Sequence, residues 1–302
     1  MPPSKKKIIA IKQTPFNHIF IVQEGAIREM WFKGERDYFL QTRLDLDQPN
    51  DIPMAYPQLM LSALLLEPLP KRVLIIGLGG GHLPKMMSRL YPETVIDTIE
   101  VDPQVVKLAK KFFHYEETSN CRTHVADGRL FIQNQIGKII YDIVWLDAFK
   151  SDSVPYHLKT LQFYKKVQKI LKPNGVVGSN LYGRSNKLKP NDRETFLQVF
   201  RHCYGFEDSE RIATAMLATN REPQWTKEDF LESAKKMKRE FPKPMSDTAA
   251  LYKPRILKGV LGSVFKDDFT QSQLKNLVKK NNLYENPSRL YPVASINFDD
   301  NY

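Results

Sequence analysis

A glycine-rich loop directly after a continuous apolar run is the strongest chemical signal in the sequence. Residues 73–76 predict a strand buried on both faces, and Gly77, Gly79 and Gly81 follow it before a helical stretch. Glycines at such a strand end let the backbone approach a nucleotide where side chains would clash. A dinucleotide fingerprint would need its third glycine at His82, and the Gly-Lys-Ser/Thr of a phosphate-cradling loop is missing. The spacing favours a nucleoside of the S-adenosylmethionine type; a purely structural turn is the alternative.

Two carboxylates stand at the ends of the next two predicted strands. Glu100 ends the second strand, where a carboxylate can accept hydrogen bonds from both ribose hydroxyls. Asp127 ends the third strand, where it can accept a hydrogen bond from an adenine amino group, and Gly128 leaves room for the ring. Each acid alone would more often be a helix cap or a turn residue. Their joint placement with the glycine loop on one sheet favours the nucleoside site.

A parallel sheet is needed to bring these residues to one edge. Short apolar runs alternate with helical stretches, which indicates a doubly wound α/β sheet whose ligands bind at the carboxyl ends of the strands. The first four strand ends carry Gly77, Glu100, Asp127 and Asp147. The five predicted strands are residues 73–76, 95–99, 122–126, 141–146 and 176–181.

The chain divides into three predicted regions. Residues 1–54 hold short, glycine-punctuated strands, and residues 55–222 form the nucleoside-binding domain. Residues 223–302 are predicted to be a helical extension, which begins at the helix-start signal of Thr226 and Asp229. The patterns further predict helices over residues 56–66, 157–171, 196–203 and 269–280, and a late strand over residues 211–218.

Composition bounds the class of protein. The chain has 302 residues, 42% of them hydrophobic and 26% charged, so we expect a sizeable core and exclude disorder for most of the chain. Two cysteines cannot build a disulfide scaffold or a four-thiolate zinc site, and the six histidines lack the spacing of a helical zinc motif. We therefore predict no metal. No apolar run has the ~20 residues of a membrane span, and no signal peptide is recognisable, so a cytoplasmic location is predicted.

The net charge of +11 bears on partners. A basic chain can attract nucleic acid or another anion, but no nucleic-acid motif supports this, and a solvated lysine-rich surface is the simpler interpretation. We predict a small-molecule acceptor as the partner, no membrane, and leave a homodimer open.

Several motifs occur together in a recognisable order. They are Tyr56, the run and loop of residues 73–81, Ile99-Glu100-Val101-Asp102, Asp127-Gly128, and residues 141–147 ending in Asp147. With these motifs the chain resembles the spermidine synthases (polyamine aminopropyltransferases) over residues 15–220, including the N-terminal strand region that ordinary methyltransferases lack. Many methyltransferases carry an acid two residues before the first glycine, where this chain has Ile75, as the synthases do.

The resemblance implies a fold and a set of roles. The fold would be a Rossmann-like S-adenosylmethionine-dependent transferase fold, with a mostly parallel seven-stranded sheet, an N-terminal β region and a small C-terminal helical extension. Tyr56 and Asp147 would orient and deprotonate an attacking amine, and Gln58 matches a polar residue after the tyrosine. The residues implied to hold decarboxylated S-adenosylmethionine or its product are Gln41, Glu100, Asp127 and Gly128.

Two positions depart from the family pattern. The family's glycine loop carries a diamine-binding aspartate where this chain has Gly80, and a second such aspartate is replaced by Lys150. A dication desolvated in a pocket needs carboxylates to compensate it. Asp152, two residues further on, is a candidate substitute for the lost acid. The stretch after Asp147 resembles a divergent spermidine-synthase-like branch, some members of which resemble methyltransferases that act on proteins.

Three functions follow as hypotheses. The first is transfer of an aminopropyl or related alkyl group to an acceptor other than simple putrescine, with Asp147 taking the proton. The second is methyl transfer from S-adenosylmethionine to a protein, RNA or small molecule, with Lys150 facing the carboxylate of the nucleoside. The third is nucleoside binding without catalysis.

Overall fold

Two β-sheets and the helices packed on them make up the described part of the chain. This computed structural model describes residues 6–34, 37–150, 154–181, 186–210, 213–254, 256, 258–270, 272–276 and 279. Within those ranges the strands form a four-stranded sheet and a seven-stranded sheet. None of the helices described there has the length and apolar character that a membrane crossing requires.

The smaller sheet is antiparallel, and its strands follow chain order. One of its faces is apolar: Ile21 and Met30 share a buried cluster with Val105, Leu108 and Phe113 of the following domain. The predicted N-terminal β region is therefore confirmed, and apolar burial fixes it to the rest of the fold. Its strands are β1 (Lys7–Gln13), β2 (His18–Glu24), β3 (Ile27–Lys33) and β4 (Tyr38–Asp45).

The larger sheet is the mostly parallel sheet predicted from the alternating pattern. Its strands are β5 (Arg72–Ile76), β6 (Val95–Glu100), β7 (Cys121–Val125), β8 (Tyr141–Leu146), β9 (Leu171–Asn180), β10 (His202–Glu207) and β11 (Thr214–Thr219). They lie in the order β10-β11-β9-β8-β5-β6-β7; β11 runs antiparallel to both of its neighbours, β10 and β9, and the remaining neighbouring pairs are parallel. The chain leaves β5 towards β6 on one side and returns to β8 on the other. This switch point opens a crevice at the carboxyl end of β5.

Helices cover both faces of the larger sheet, and the residues that start them matter for the site. Asp102 accepts a hydrogen bond from the Gln104 N–H, and Asp127 accepts hydrogen bonds from the Arg129 and Leu130 N–H groups, so both acids cap helices. The helices are α1 (Ala55–Met60), α2 (Ala63–Leu66), α3 (His82–Leu90), α4 (Pro103–Phe112), α5 (Gly128–Gln135), α6 (Leu161–Lys169), α7 (Lys189–Leu197), α8 (Lys227–Lys236) and α9 (Met245–Ala250).

Three predicted helices have different bounds in the structure. The stretch 56–66 is broken into α1 and α2 at Ser62, whose hydroxyl donates to the Leu59 carbonyl and competes with the regular backbone pattern. The stretch 157–171 begins as a short 3₁₀ turn (Tyr156–Leu158), and α6 starts only after the cap Thr160. The stretch 196–203 is mostly not helical: α7 ends at Leu197 and β10 begins at His202. A short apolar run does not distinguish a buried helix from a buried strand.

Described segments after residue 222 pack on the larger sheet. The predicted start of α8 is confirmed, because Thr226 and Asp229 form a capping box. Phe230 and Tyr252 belong to the same buried cluster as Leu217 of β11. Whether residues 223–302 form a separate extension stays a prediction. Of the predicted helix over residues 269–280, residues 274–276 and 279 are helical, whereas residues 271, 277, 278 and 280 lie outside the described residues, as do residues 281–302.

Candidate active site

A cleft opens at the carboxyl ends of β5, β6, β8 and β9. It contains about 1020 Å³ of atom-free space, part of it open to solvent. The smaller sheet supplies one wall through β4 and the turn between β1 and β2, while the strand ends of the larger sheet supply the floor. Predicted site residues that line the cleft are Gln41, Tyr56, Gly77, Gly79, Glu100, Asp127, Gly128, Asp147 and Lys150.

Backbone conformation and close packing require the glycines of the loop. Gly77 has a φ of +104°, and a Cβ there would lie 2.2 Å from the carbonyl oxygen of Asp147. Gly81 has a φ of +79° and would meet the Tyr115 ring at 2.5 Å, so it shapes the loop although it is not in the cleft lining. Gly77 allows the end of β5 to lie against the end of β8. The loop therefore brings the predicted nucleoside end and Asp147 together.

Glu100 is tied to the loop by main-chain hydrogen bonds. Its Oε2 accepts from the Leu78 N–H at 3.1 Å, and its Oε1 accepts from the Asp102 N–H at 2.9 Å. Burial nevertheless raises the pKa of this carboxyl to about 7, because desolvation outweighs these bonds. A ribose that donated two hydroxyl hydrogen bonds would supply part of the solvation that the buried carboxylate has lost.

Asp127 both caps α5 and lines the cleft. Its Oδ1 accepts the backbone hydrogen bonds that cap α5, and its Oδ2 lies 2.8 Å from Nε2 of the fully buried His157. A Cβ at Gly128 would lie 2.5 Å from the Ile76 side chain. Asp127 therefore caps a helix, which was the alternative interpretation of the sequence, and it also lies on the cleft wall.

Asp147 and Tyr56 form the other half of the cleft. Asn180 at the end of β9 donates from Nδ2 to Asp147 Oδ1 at 2.9 Å. Burial raises the pKa of Asp147 to about 7, and the bond from Asn180 opposes that shift. The Tyr56 hydroxyl donates to the Gln41 carbonyl at 3.4 Å, and burial together with the Asp147 charge holds its pKa well above the ordinary value. Asp147 is thus a carboxylate with the basicity to take a proton near neutral pH, beside a tyrosine that stays protonated.

Of the four remaining predicted residues, two line the cleft, one is buried elsewhere, and one lies outside the described residues. Gln41 lines the cleft, and its amide donates to the Phe39 carbonyl. Gln58 is not in the cleft lining, because its side chain is buried against Thr248 of α9, to which it donates. We therefore correct its assignment as a substrate residue. Lys150 lines the cleft, and Asp152 lies outside the described residues.

Gly80 has no room for the acid that the family pattern places there. Its N–H donates to Thr42 Oγ1 at 2.8 Å, and a Cβ on it would lie 2.3 Å from Thr42 Cγ2. The threonine of β4 therefore occupies the space in which an aspartate side chain would start.

Sequence reasoning missed several residues of the cleft. Asn180 carries the same strand-end signal as Asp147, and the predicted fifth strand could have revealed it. Asn17 and Phe16 reach the cleft because Thr14 and Asn17 donate to Asp102, which no short motif encodes. Phe149 also lines the cleft. Among the described residues no cluster of His, Cys, Asp and Glu has the arrangement of a metal site.

Comparisons with known proteins identify the family. A model of the spermine/spermidine synthase domain matches residues 56–203. The polyamine aminopropyltransferase of Vibrio vulnificus (strain CMCP6) is 32% identical over 219 residues, which are 70% of this chain and 73% of that enzyme. The chain belongs to the spermine/spermidine synthase family.

Other similar proteins include a methyltransferase and solved structures with the same fold. The human eEF1A lysine and N-terminal methyltransferase is 29% identical over 192 residues, which are 60% of this chain but 27% of the human protein. A crystal structure of a spermidine synthase in complex with the transition state analogue AdoDATO superposes with a TM-score of 0.68 at 19% identity, covering 83% of this chain and 87% of that one. Human methyltransferase-like protein 13 in complex with SAH has a TM-score of 0.52 at 25% identity, covering 72% and 96%.

These relatives fix the coarse function of this family member. Synthases and methyltransferases alike move a group from an S-adenosylmethionine-type nucleoside, and the chain is a transferase with a substrate of that type. The cleft has a strand-end carboxylate at either end, Glu100 and Asp147, with the glycine loop between them.

Proposed function

We propose that the protein transfers an aminopropyl or related alkyl group from an S-adenosylmethionine-type nucleoside to the nitrogen of an amine acceptor that is not simple putrescine. The main support for this proposal is the Asp147 carboxyl, which lines the cleft next to Gly77 of the glycine loop and has a pKa of about 7. Glu100 and Asp127 would bind the ribose and the nucleobase, which directs the sulfonium towards Asp147.

The reaction follows from this arrangement. The lone pair of the acceptor nitrogen attacks the carbon bonded to the sulfonium sulfur, a carbon–nitrogen bond forms, and the carbon–sulfur bond breaks with its electrons on sulfur. The nucleoside leaves as a neutral thioether. The nitrogen loses its proton to Asp147, while Asn180 holds one oxygen of that carboxylate and Tyr56 borders the approach. A carboxylate placed at the nucleophile typically contributes ~10²–10⁴-fold to the rate.

Charge in the acceptor half argues against a diamine. The lining includes Lys150, and Thr42 fills the space beside Gly80. Two like unit charges about 4 Å apart repel by roughly 1 kcal/mol in water and by roughly 4 kcal/mol at an effective dielectric near 20, and a partly open cleft lies between these limits. A second ammonium group near Lys150 would therefore be disfavoured, so we propose an acceptor with one amine at Asp147 and a neutral or anionic remainder.

Methyl transfer is the second candidate, and Lys150 favours it. S-Adenosylmethionine carries a carboxylate that its decarboxylated form lacks, and a lysine on the cleft wall is a suitable partner for it. Methyltransferases among the relatives are consistent with this alternative.

Calorimetry followed by product analysis tests the proposal. The protein is titrated with S-adenosylmethionine, with decarboxylated S-adenosylmethionine and with methylthioadenosine, and then incubated with each sulfonium nucleoside and a panel of mono-, di- and aminocarboxylate amines. We expect mass spectrometry to find an aminopropyl adduct on a monoamine or aminocarboxylate. A methyl adduct found only with S-adenosylmethionine would establish the second candidate. Efficient spermidine formation from putrescine would refute the proposed acceptor class.

A further inference from the structure

An extended segment near the end of the described chain crosses the fold beside the cleft. We call residues 258–270 the strap. It passes α7 at Gly262, where a Cβ would lie 2.4 Å from the Pro190 backbone, and Asn191 donates to Ser263 at 2.6 Å. The Phe265 N–H then donates to Thr195 Oγ1 at 3.0 Å. The strap is therefore seated on α7 by backbone contact and hydrogen bonds.

The strap next holds the segment that leads from the cleft wall into α6. The Leu161 N–H donates to the Phe265 carbonyl at 2.8 Å, and the Tyr156 hydroxyl donates to the Lys266 carbonyl at 2.8 Å. The Asp267 N–H donates to the Gln162 side chain at 2.9 Å. Three consecutive strap residues thus bind the stretch that contains the 3₁₀ turn.

The buried Arg129 side chain connects the strap to the 3₁₀ turn. Its side chain is 1% exposed, and its two terminal nitrogens donate to the two oxygens of Asp267. One of those nitrogens also donates to the His157 carbonyl at 2.9 Å, and Phe269 lies over the guanidinium at 5.1 Å. A buried guanidinium needs such a partner, because a lone buried charge is strongly disfavoured. Asp267 therefore fixes Arg129, and Arg129 fixes the backbone at His157.

The His157 ring carries this constraint into the cleft. Its Nε2 donates to Asp127 Oδ2 at 2.8 Å. Asp127 Oδ1 already accepts two backbone hydrogen bonds, so Oδ2 is the oxygen that a nucleobase amino group would approach. The direction of Oδ2 is set by the ring of His157.

We propose that Asp267 is a positioning residue for nucleobase recognition: acting through Arg129 and His157, it orients the Asp127 carboxylate towards an adenine amino group. This inference rests on the proposed nucleoside binding and adds a role for the C-terminal part of the chain, which the cleft lining alone does not suggest.

The test compares two nucleosides that differ in one hydrogen-bonding group. Dissociation constants are measured by calorimetry for methylthioadenosine and for methylthioinosine, which has an oxo group in place of the 6-amino group. We expect the unaltered protein to prefer methylthioadenosine, and Asp267→Asn to reduce the ratio of the two constants about tenfold, the scale of one charge-assisted hydrogen bond. General loss of structure would weaken both nucleosides alike and leave the ratio unchanged.

Further variants keep the test decisive. Arg129→Lys retains the charge pair but not the forked reach to the His157 carbonyl, so it should also lower the ratio; Asp267→Glu should restore most of it. Ser263→Ala, which removes only the bond to Asn191, should leave the ratio unchanged. An unaltered ratio in both Asp267→Asn and Arg129→Lys would overturn the inference. If the unaltered protein binds both nucleosides equally, base recognition by Asp127 is wrong although nucleoside binding stands. If it binds neither, the proposed function fails, and the inference fails with it.

Discussion

The two halves of the cleft are built differently. In the nucleoside half, Glu100 accepts hydrogen bonds from two backbone N–H groups, and Asp127 caps α5 in the same way. In the acceptor half, Asp147 accepts from the side chain of Asn180, and Lys150 lies on the wall. Main-chain donors tie the nucleoside half to the fold itself. Side chains shape the acceptor half, so substitutions there can change its charge while the sheet stays as it is.

The nucleoside half of the cleft follows the family pattern, and the acceptor half departs from it. A change at Glu100 or Asp127 would leave backbone donors of a loop or a helix without partners, which is costly in a buried place. The nucleoside half is thus constrained by folding as well as by binding.

The largest effect is expected on turnover, from the loss of the Asp147 carboxylate in the acceptor half. Asp147→Asn keeps the size of the side chain and an oxygen for the Asn180 bond but removes the base, so we expect turnover to fall by ~10²–10⁴-fold. Nucleoside affinity should stay nearly unchanged, because Asp147 belongs to the acceptor half. Turnover is measured with the best acceptor of the amine panel, and affinity by calorimetry with methylthioadenosine. Full activity of the folded variant would rule out Asp147 as the proton acceptor.

The sequence predicted the nucleoside half better than the acceptor half. Gly77, Glu100 and Asp127 follow strands that their apolar runs reveal, and parallel strands bring such ends to one edge. Local patterns could not place Gln58, because the turn at Ser62 and the contact with Thr248 join segments far apart in the chain. The strap escaped notice for the same reason: nothing in its sequence shows that Asp267 reaches a buried arginine.

The next effect tests the nucleoside half. Glu100→Ala removes the carboxylate predicted to bind the ribose, and we expect nucleoside binding to weaken by about 1.5–3 kcal/mol, the range for hydrogen bonds with a charged partner. Calorimetry with methylthioadenosine measures this loss, and Asp147→Asn is the matched control at the other end of the cleft. Equal affinities of the folded Glu100→Ala variant and the unaltered protein would refute the ribose role.

A smaller effect tests the charge of the acceptor half. Lys150→Gln removes the cation from the wall, and we expect putrescine turnover to rise several-fold; solvent in the open cleft reduces the Coulomb repulsion towards its value in water, about 1 kcal/mol at 4 Å. Turnover of an aminocarboxylate should fall in the same variant. Restoring an acid through Gly80→Asp alone is expected to fail, because Thr42 occupies the space. Identical rate changes for both acceptors would show that Lys150 does not discriminate charge.

The smallest effect concerns stability and has opposite signs at Asp127 and Asp147. Asp127→Ala removes a helix cap and should lower the free energy of unfolding by about 0.5–2 kcal/mol. Asp147→Asn should raise the melting temperature at pH 8, by about 2–4 °C for each kcal/mol of stability gained.

The sign of the Asp147 effect follows from its pKa. Its ordinary value is 3.8, and burial raises the pKa in the folded protein to about 7. The folded state therefore binds the proton more tightly, so stability from this group is fully present below pH 4 and is lost as the pH rises through 7. Asparagine carries no charge at any pH. The advantage of Asp147→Asn should be largest at pH 8 and shrink steadily towards pH 4, as thermal unfolding of both proteins across that range will measure. A constant difference would mean that the buried charge of Asp147 does not limit stability.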